Sequence, residues 1–103
     1  MRFLFKVELP VEPANDKARS GGLAKTIRSI LEEQKPEAAY FTDMHGKRTG
    51  LLIVDMKDAS QIPAFAEPWF LAFNASIEIH PVMTPEDLSR AEAGIAAAAK
   101  KYS

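Results

Sequence analysis

Glu78 and His80 stand two apart in a run that reads as a strand, so a carboxylate and an imidazole share one face. An imidazole changes charge near neutral pH, and beside a carboxylate it can act as a general base. Lys6 falls on a strand expected next to theirs, where an ammonium could stabilise a developing oxyanion. Tyr40 and Asp55, from a central hairpin, would complete such a site at greater distance. These residues also have a plainer use. Charges buried at an interface are normally paired, and Lys6 with Glu78 would make such a pair. Both readings stand: His80, Glu78, Lys6 and Tyr40 as catalytic residues, or an interfacial ion-pair network. Arg48 faces Asp43 across the hairpin, where a salt bridge is the simplest use. At the mouth of a pocket it could instead grip a carboxylate. Asp55 and Trp69 join it as candidate substrate-binding residues. Trp69 also belongs to an aromatic stripe, a pattern more often core than cofactor box.

Other chemistries lack their residues. There are no cysteines, which removes disulfides, thiolate catalysis and cysteine-based zinc sites. The two histidines, His45 and His80, are not brought together by any spacing, and no HExxH pattern exists. Neither glycine-rich phosphate motif is present, and no GxSxG elbow supports a serine nucleophile. No metal and no cofactor is expected.

The element that must position these groups is the stretch AAYFTDMHGKRTGLLIVDM, Ala38 to Met56. With His45-Gly46 as a two-residue loop, Asp43 pairs with Arg48, Thr42 with Thr49 and Tyr40 with Leu51. One face then carries Ala39, Phe41, Asp43, Arg48, Leu52, Val54 and Met56. The other carries Tyr40, Thr42, Met44, Lys47, Thr49, Leu51, Ile53 and Asp55. Before the hairpin, Phe3, Phe5, Val7 and Leu9 alternate with Arg2, Leu4, Lys6 and Glu8 as a half-buried strand ended by Pro10 and Pro13. A stiff linker, LPVEPAN, leads to Asn15 as a helix cap, with Asp16 in the first turn. The stripe Leu23, Ile27, Ile30, Leu31 follows at helical spacing, Gly21-Gly22 weakening or delaying its start. That helix should stop near Lys35-Pro36.

After the hairpin, Asp58 can cap a second helix with Ile62, Phe65, Ala66, Trp69, Phe70 and Phe73 along one stripe. Pro68 should kink or divide it, and Asn74 should end it. Ile77 and Ile79 mark a fourth strand ending at Pro81. Thr84-Pro85-Glu86-Asp87 is a strong helix start. The last helix aligns Leu88, Ala91, Ile95, Ala98, Ala99 and Tyr102, with Lys100 and Lys101 at its end.

The length of 103 residues suits one domain, residues 1–103. Thirteen basic against fourteen acidic residues leave no basic stripe for nucleic acid. Lys6 interrupts the apolar N-terminal run, so a signal peptide is not expected, nor a membrane span, and the cytoplasm is the expected location. The order strand, helix, strand, strand, helix, strand predicts an α+β, ferredoxin-like βαββαβ fold: a four-stranded antiparallel sheet, order four, one, three, two, with an extra C-terminal helix. Right-handed crossovers put the helices over Phe3, Phe5, Val7, Phe41, Leu52, Val54, Ile77 and Ile79. The opposite face collects Leu4, Lys6, Glu8, Tyr40, Thr42, Leu51, Ile53, Asp55, Glu78 and His80, a mixed surface suited to a second copy.

This element order and mixed second face resemble the dimeric α+β barrel superfamily, which includes muconolactone isomerase-like proteins and small antibiotic-biosynthesis monooxygenase-type domains. The runs PEAAYFTDMHGKRTG and PVMTPEDL also resemble a family of small proteins of unassigned function. The resemblance implies a homodimer packed through its sheets, with a pocket for a small organic acid or aromatic molecule and either isomerase or cofactor-independent oxygenase activity. The alternative is a non-catalytic homodimer whose polar face is simply its interface.

Overall fold

The computed structural model describes residues 1–103. Four strands, β1 (Arg2–Glu8), β2 (Ala38–Met44), β3 (Lys47–Asp55) and β4 (Ser76–Pro81), form an antiparallel sheet in the order β2-β3-β1-β4. This is the expected order read from the other edge, and the fold is compatible with a ferredoxin-like arrangement. His45 and Gly46 turn the hairpin with φ of 55° and 73°, the paired positive values of a type I′ turn. The register is the expected one, with Asp43 opposite Arg48, Thr42 opposite Thr49 and Tyr40 opposite Leu51.

Two helices precede the hairpin where one was expected. α1 (Val11–Ser20) starts directly after Pro10, and α2 (Leu23–Gln34) follows it. The segment read as a stiff linker is helical because Pro13 lies in the first turn, where a missing N–H breaks no helical bond. Asn15 is therefore inside a helix rather than capping one. Gly21 does not delay a helix but ends α1: its φ is 83°, and its N–H and that of Gly22 donate to the carbonyls of Ala18 and Lys17.

After Asp58 caps a short 3-10 turn (Ala59–Gln61), α3 spans Ile62–Phe73 and is not divided at Pro68. Proline has no N–H for the Ala64 carbonyl, four residues back. The Gln34 side chain, at the end of α2, takes that place. Its Nε2 donates to the Phe65 carbonyl at 2.8 Å and to Ala64 at 3.4 Å, while its Oε1 accepts from Trp69 Nε1 at 3.3 Å. Asn74 ends α3 with φ of 54°.

The helices cover one face of the sheet. Phe5, Val7, Leu52 and Val54 from the strands are buried against Trp69, Phe73, Ala66 and Ile30 from the helices, with Ala14 from α1. Phe3, Ile77 and Ile79 pack at the margin. Phe41 departs from the expected core and is 52% exposed. It stands on β2, an edge strand, and its ring leans over Gly50 of β3. The last helix is also interrupted. α4 (Pro85–Arg90) and α5 (Glu92–Tyr102) meet at Ala91, whose ψ of −8° breaks the regular turn. No helix is long and apolar enough to cross a membrane.

The Gln34 clamp generates a test. Replacing Gln34 by Leu is expected to cost about 1–2 kcal/mol in urea unfolding followed by Trp69 fluorescence, from partly exposed hydrogen bonds. In a Pro68→Ala background, the restored N–H should reduce that cost, so the two changes couple rather than add.

Candidate functional site

The structure divides the sequence candidates between two faces of one sheet. On the face away from the helices, β4 lies beside β1 with Glu78 opposite Lys6 and His80 opposite Leu4. The Glu78 carboxylate is shared: Oε2 accepts from Lys6 Nζ at 3.3 Å, and Oε1 lies 3.2 Å from His80 Nε2. His80 first and Lys6 second hold this carboxyl below the ordinary glutamate range. A carboxylate stabilised in its charged form is a weaker base, so these contacts fit an ion-pair network.

Tyr40 and Asp55 share that face without joining the cluster. Tyr40 and Lys6 pair with Leu51 from opposite sides, which separates them by two strand spacings, roughly 9–10 Å. Asp55 lies at the far end, opposite Arg2, and accepts from the Met1 amine at 2.8 Å. That ammonium, with its hydrogen bond, lowers the Asp55 pKa. A second carboxylate cluster forms at the hairpin end, where Glu8 meets His45 Nδ1 at 3.3 Å and Lys47 Nζ at 3.4 Å, His45 being the larger cause of its lowered pKa. No three histidine, aspartate or glutamate side chains come together as a metal-holding group.

Arg48 and Trp69 lie on the helix side. The expected Asp43–Arg48 salt bridge is not formed, although the two are register partners. Arg48 Nη1 instead donates to Asn15 Oδ1 at 2.9 Å. The reason is α1: once Pro10 to Ser20 fold as a helix, Asn15 comes within reach of the guanidinium. Between β3, β2 and the helices is a cleft of about 320 Å³. Val7, Leu9, Ile27 and Trp69 supply its apolar lining, Phe41 a wall and Arg48 its charged group, and the paired residues Thr42 and Thr49 also border it. Gly50 belongs to the same lining, and Phe41 Cε1 would stand only 3.1 Å from a Cβ placed there.

Ile27, Phe41, Gly50 and Asn15 were not singled out as site residues from the sequence. Gly50 carried the one usable signal, since a glycine inside an otherwise branched and aliphatic strand marks close approach.

A model of the family described as domain of unknown function DUF3303 matches residues 1–96. The chain belongs to that family. No curated protein matches it. The family's description assigns no chemistry, which is left to be argued from the two faces.

Glu78 gives the measurable consequence. Its folded pKa is depressed, so its contribution to stability is present above the unfolded-state value and lost as pH falls through the folded one. In carboxyl NMR titrations, Glu78 should titrate below ordinary glutamates and return toward them in Lys6→Met or His80→Ala. An unchanged midpoint in both variants would show that neither contact persists in solution.

Proposed function

We propose that this chain binds a small, apolar organic acid in the cleft on the helix side of its sheet. The supporting observation is an apolar cavity of about 320 Å³ with Trp69 in its lining and the Arg48 guanidinium beside it. That volume lies within the usual span of small-ligand pockets, roughly 300–1,000 Å³. One nitrogen of Arg48 is engaged by Asn15, which orients the group and leaves donors for a carboxylate. The apolar walls suit an aromatic or branched aliphatic body. A sugar or a nucleotide would leave its hydroxyls or phosphates facing Val7, Leu9 and Ile27 without partners.

Binding, rather than turnover, is the reading the arrangement favours. The cluster able to move a proton, His80 with Glu78 and Lys6, is across the sheet from the cleft. Its charges are satisfied by each other. They fit the other half of the proposal: two copies pack sheet face to sheet face, as in the dimeric α+β barrels this chain resembles. The centre of that face is apolar, with Leu4, Leu51 and Ile53 part-buried and Tyr40 68% exposed. Around it stand paired charges, the composition of an interface with a polar rim.

Trp69 is the single tryptophan and lines the cleft, so its emission reports occupancy directly. Titration with benzoate and branched short-chain acids should perturb that emission saturably. Arg48→Gln should weaken the response about ten- to hundredfold, the value of a charge-assisted contact of roughly 1.5–3 kcal/mol. No response to any such acid at millimolar concentration would refute the binding site.

For the dimer, sedimentation of Leu51→Lys at micromolar concentration should show a lower mass than the unaltered chain. Equal masses would remove the sheet-face contact.

A further inference from the structure

The last two helices leave the body of the protein. A reciprocal cap fixes where they start: Asp87 N–H donates to Thr84 Oγ1 at 3.1 Å, and Thr84 N–H donates to Asp87 Oδ2 at 3.0 Å. Beyond it, no residue of α4 or α5 is buried. The molecule is in consequence 58 Å long and 28 by 20 Å across, with a radius of gyration of 17.2 Å. A compact chain of this length has about 13 Å. A helix as short as α5 is marginally stable alone in water, even when rich in alanine.

The exposed side of this arm is patterned. Leu88, Ala91, Ile95, Ala98 and Tyr102 recur at alternate steps of three and four, the spacing of a two-helix seam. Leu88 is 49%, Ile95 57% and Tyr102 78% exposed. Glu86 and Asp87 lie at one end of the arm, Arg90 and Glu92 near its middle, and Lys100 and Lys101 at the other end.

We propose that the α4–α5 arm packs antiparallel against the same arm of a second copy of this chain. Antiparallel pairing brings the acidic end of each arm to the lysine end of the other and opposes the helix dipoles. It also sets large against small along the seam, Leu88 on Ala98 of the second copy and Ile95 on its Ala91. In that register Tyr102 of the second copy lies over the open apolar depression at the arm's root, formed by Val82, Met83, Pro85 and Leu88. Parallel pairing would stack like residues, bring lysines together and leave the depression unfilled. Nothing stands within 4 Å of the missing side chain of Gly94, so the backbones have room to approach. The contact is self-complementary and closes at two arms. It depends neither on a ligand in the cleft nor on the sheet faces meeting.

The absence of cysteine makes cross-linking clean. Chains carrying Leu88→Cys and Ala98→Cys are mixed and mildly oxidised, with Ala97→Cys, turned off the seam, as control. The mixed 88–98 disulfide should exceed the 88–97 product at least tenfold, and Ile95→Asp in both chains should abolish it while Trp69 emission stays native. Leu51→Lys, which disrupts the sheet face, should leave this cross-link intact. Three results overturn the proposal: predominance of 88–88 disulfides, which means parallel arms; preferred cross-linking of Ala98→Cys to Tyr40→Cys, which puts the arm on a sheet face; or no excess over the control.

Discussion

The side chain of Gln34 closes the helical layer. It holds a helix interrupted by proline, and it does so while receiving the indole N–H of the largest buried residue, Trp69. Pro68 removes a donor from the middle of α3, so the Ala64 carbonyl that loses it must find another or face apolar surroundings. An amide supplies both donor and acceptor, which a charged or aliphatic side chain at the end of α2 could not. The same contact fixes the ring of Trp69, which stacks on Phe73 at 6.0 Å and faces the cleft. Helix continuity, core packing and one wall of the candidate site therefore depend on one residue.

The alternation of strand side chains does the rest. Because successive residues point to opposite faces, a single sheet carries two unrelated surfaces. Val7, Gly50 and Arg48 face the helices and build an apolar cleft beside one cation. Lys6, Glu78 and His80, one residue out of phase, face away and neutralise each other. Any chemistry needing both the cleft and the imidazole would have to act through the sheet. This separation is why the two surfaces are proposed for different roles, one for a small acid and one for a second copy.

Much of this was legible before any coordinates. The hairpin register followed from His45-Gly46, since a two-residue loop containing glycine readily adopts the positive φ that suits the strands' twist. The strand order followed from element order and handedness. The Lys6–Glu78 contact followed from both, because register and order together fix neighbours. What was not legible depended on long-range contacts. Pro10 and Pro13 read as a stiff linker, since a proline in the first turn of a helix looks locally like a breaker. Asn15 then looked like a cap, and its bond to Arg48 could not be foreseen. Pro68 looked like a division because its remedy, Gln34, is on another helix. Phe41 looked like core because it stands on the helix-side face, yet on the edge strand it stays half exposed. The arm was expected as one helix with an apolar side, but its independence of the body became visible only from the sheet's position.

The proposed ligand site is on the helix side of the sheet and not beside His80. Amide chemical-shift mapping during addition of benzoate tests it most directly. Saturable shifts are expected at Leu9, Ile27, Thr42 and Gly50, with Lys6, Glu78 and His80 unmoved. Shifts concentrated on Lys6, Glu78 and His80 would contradict it.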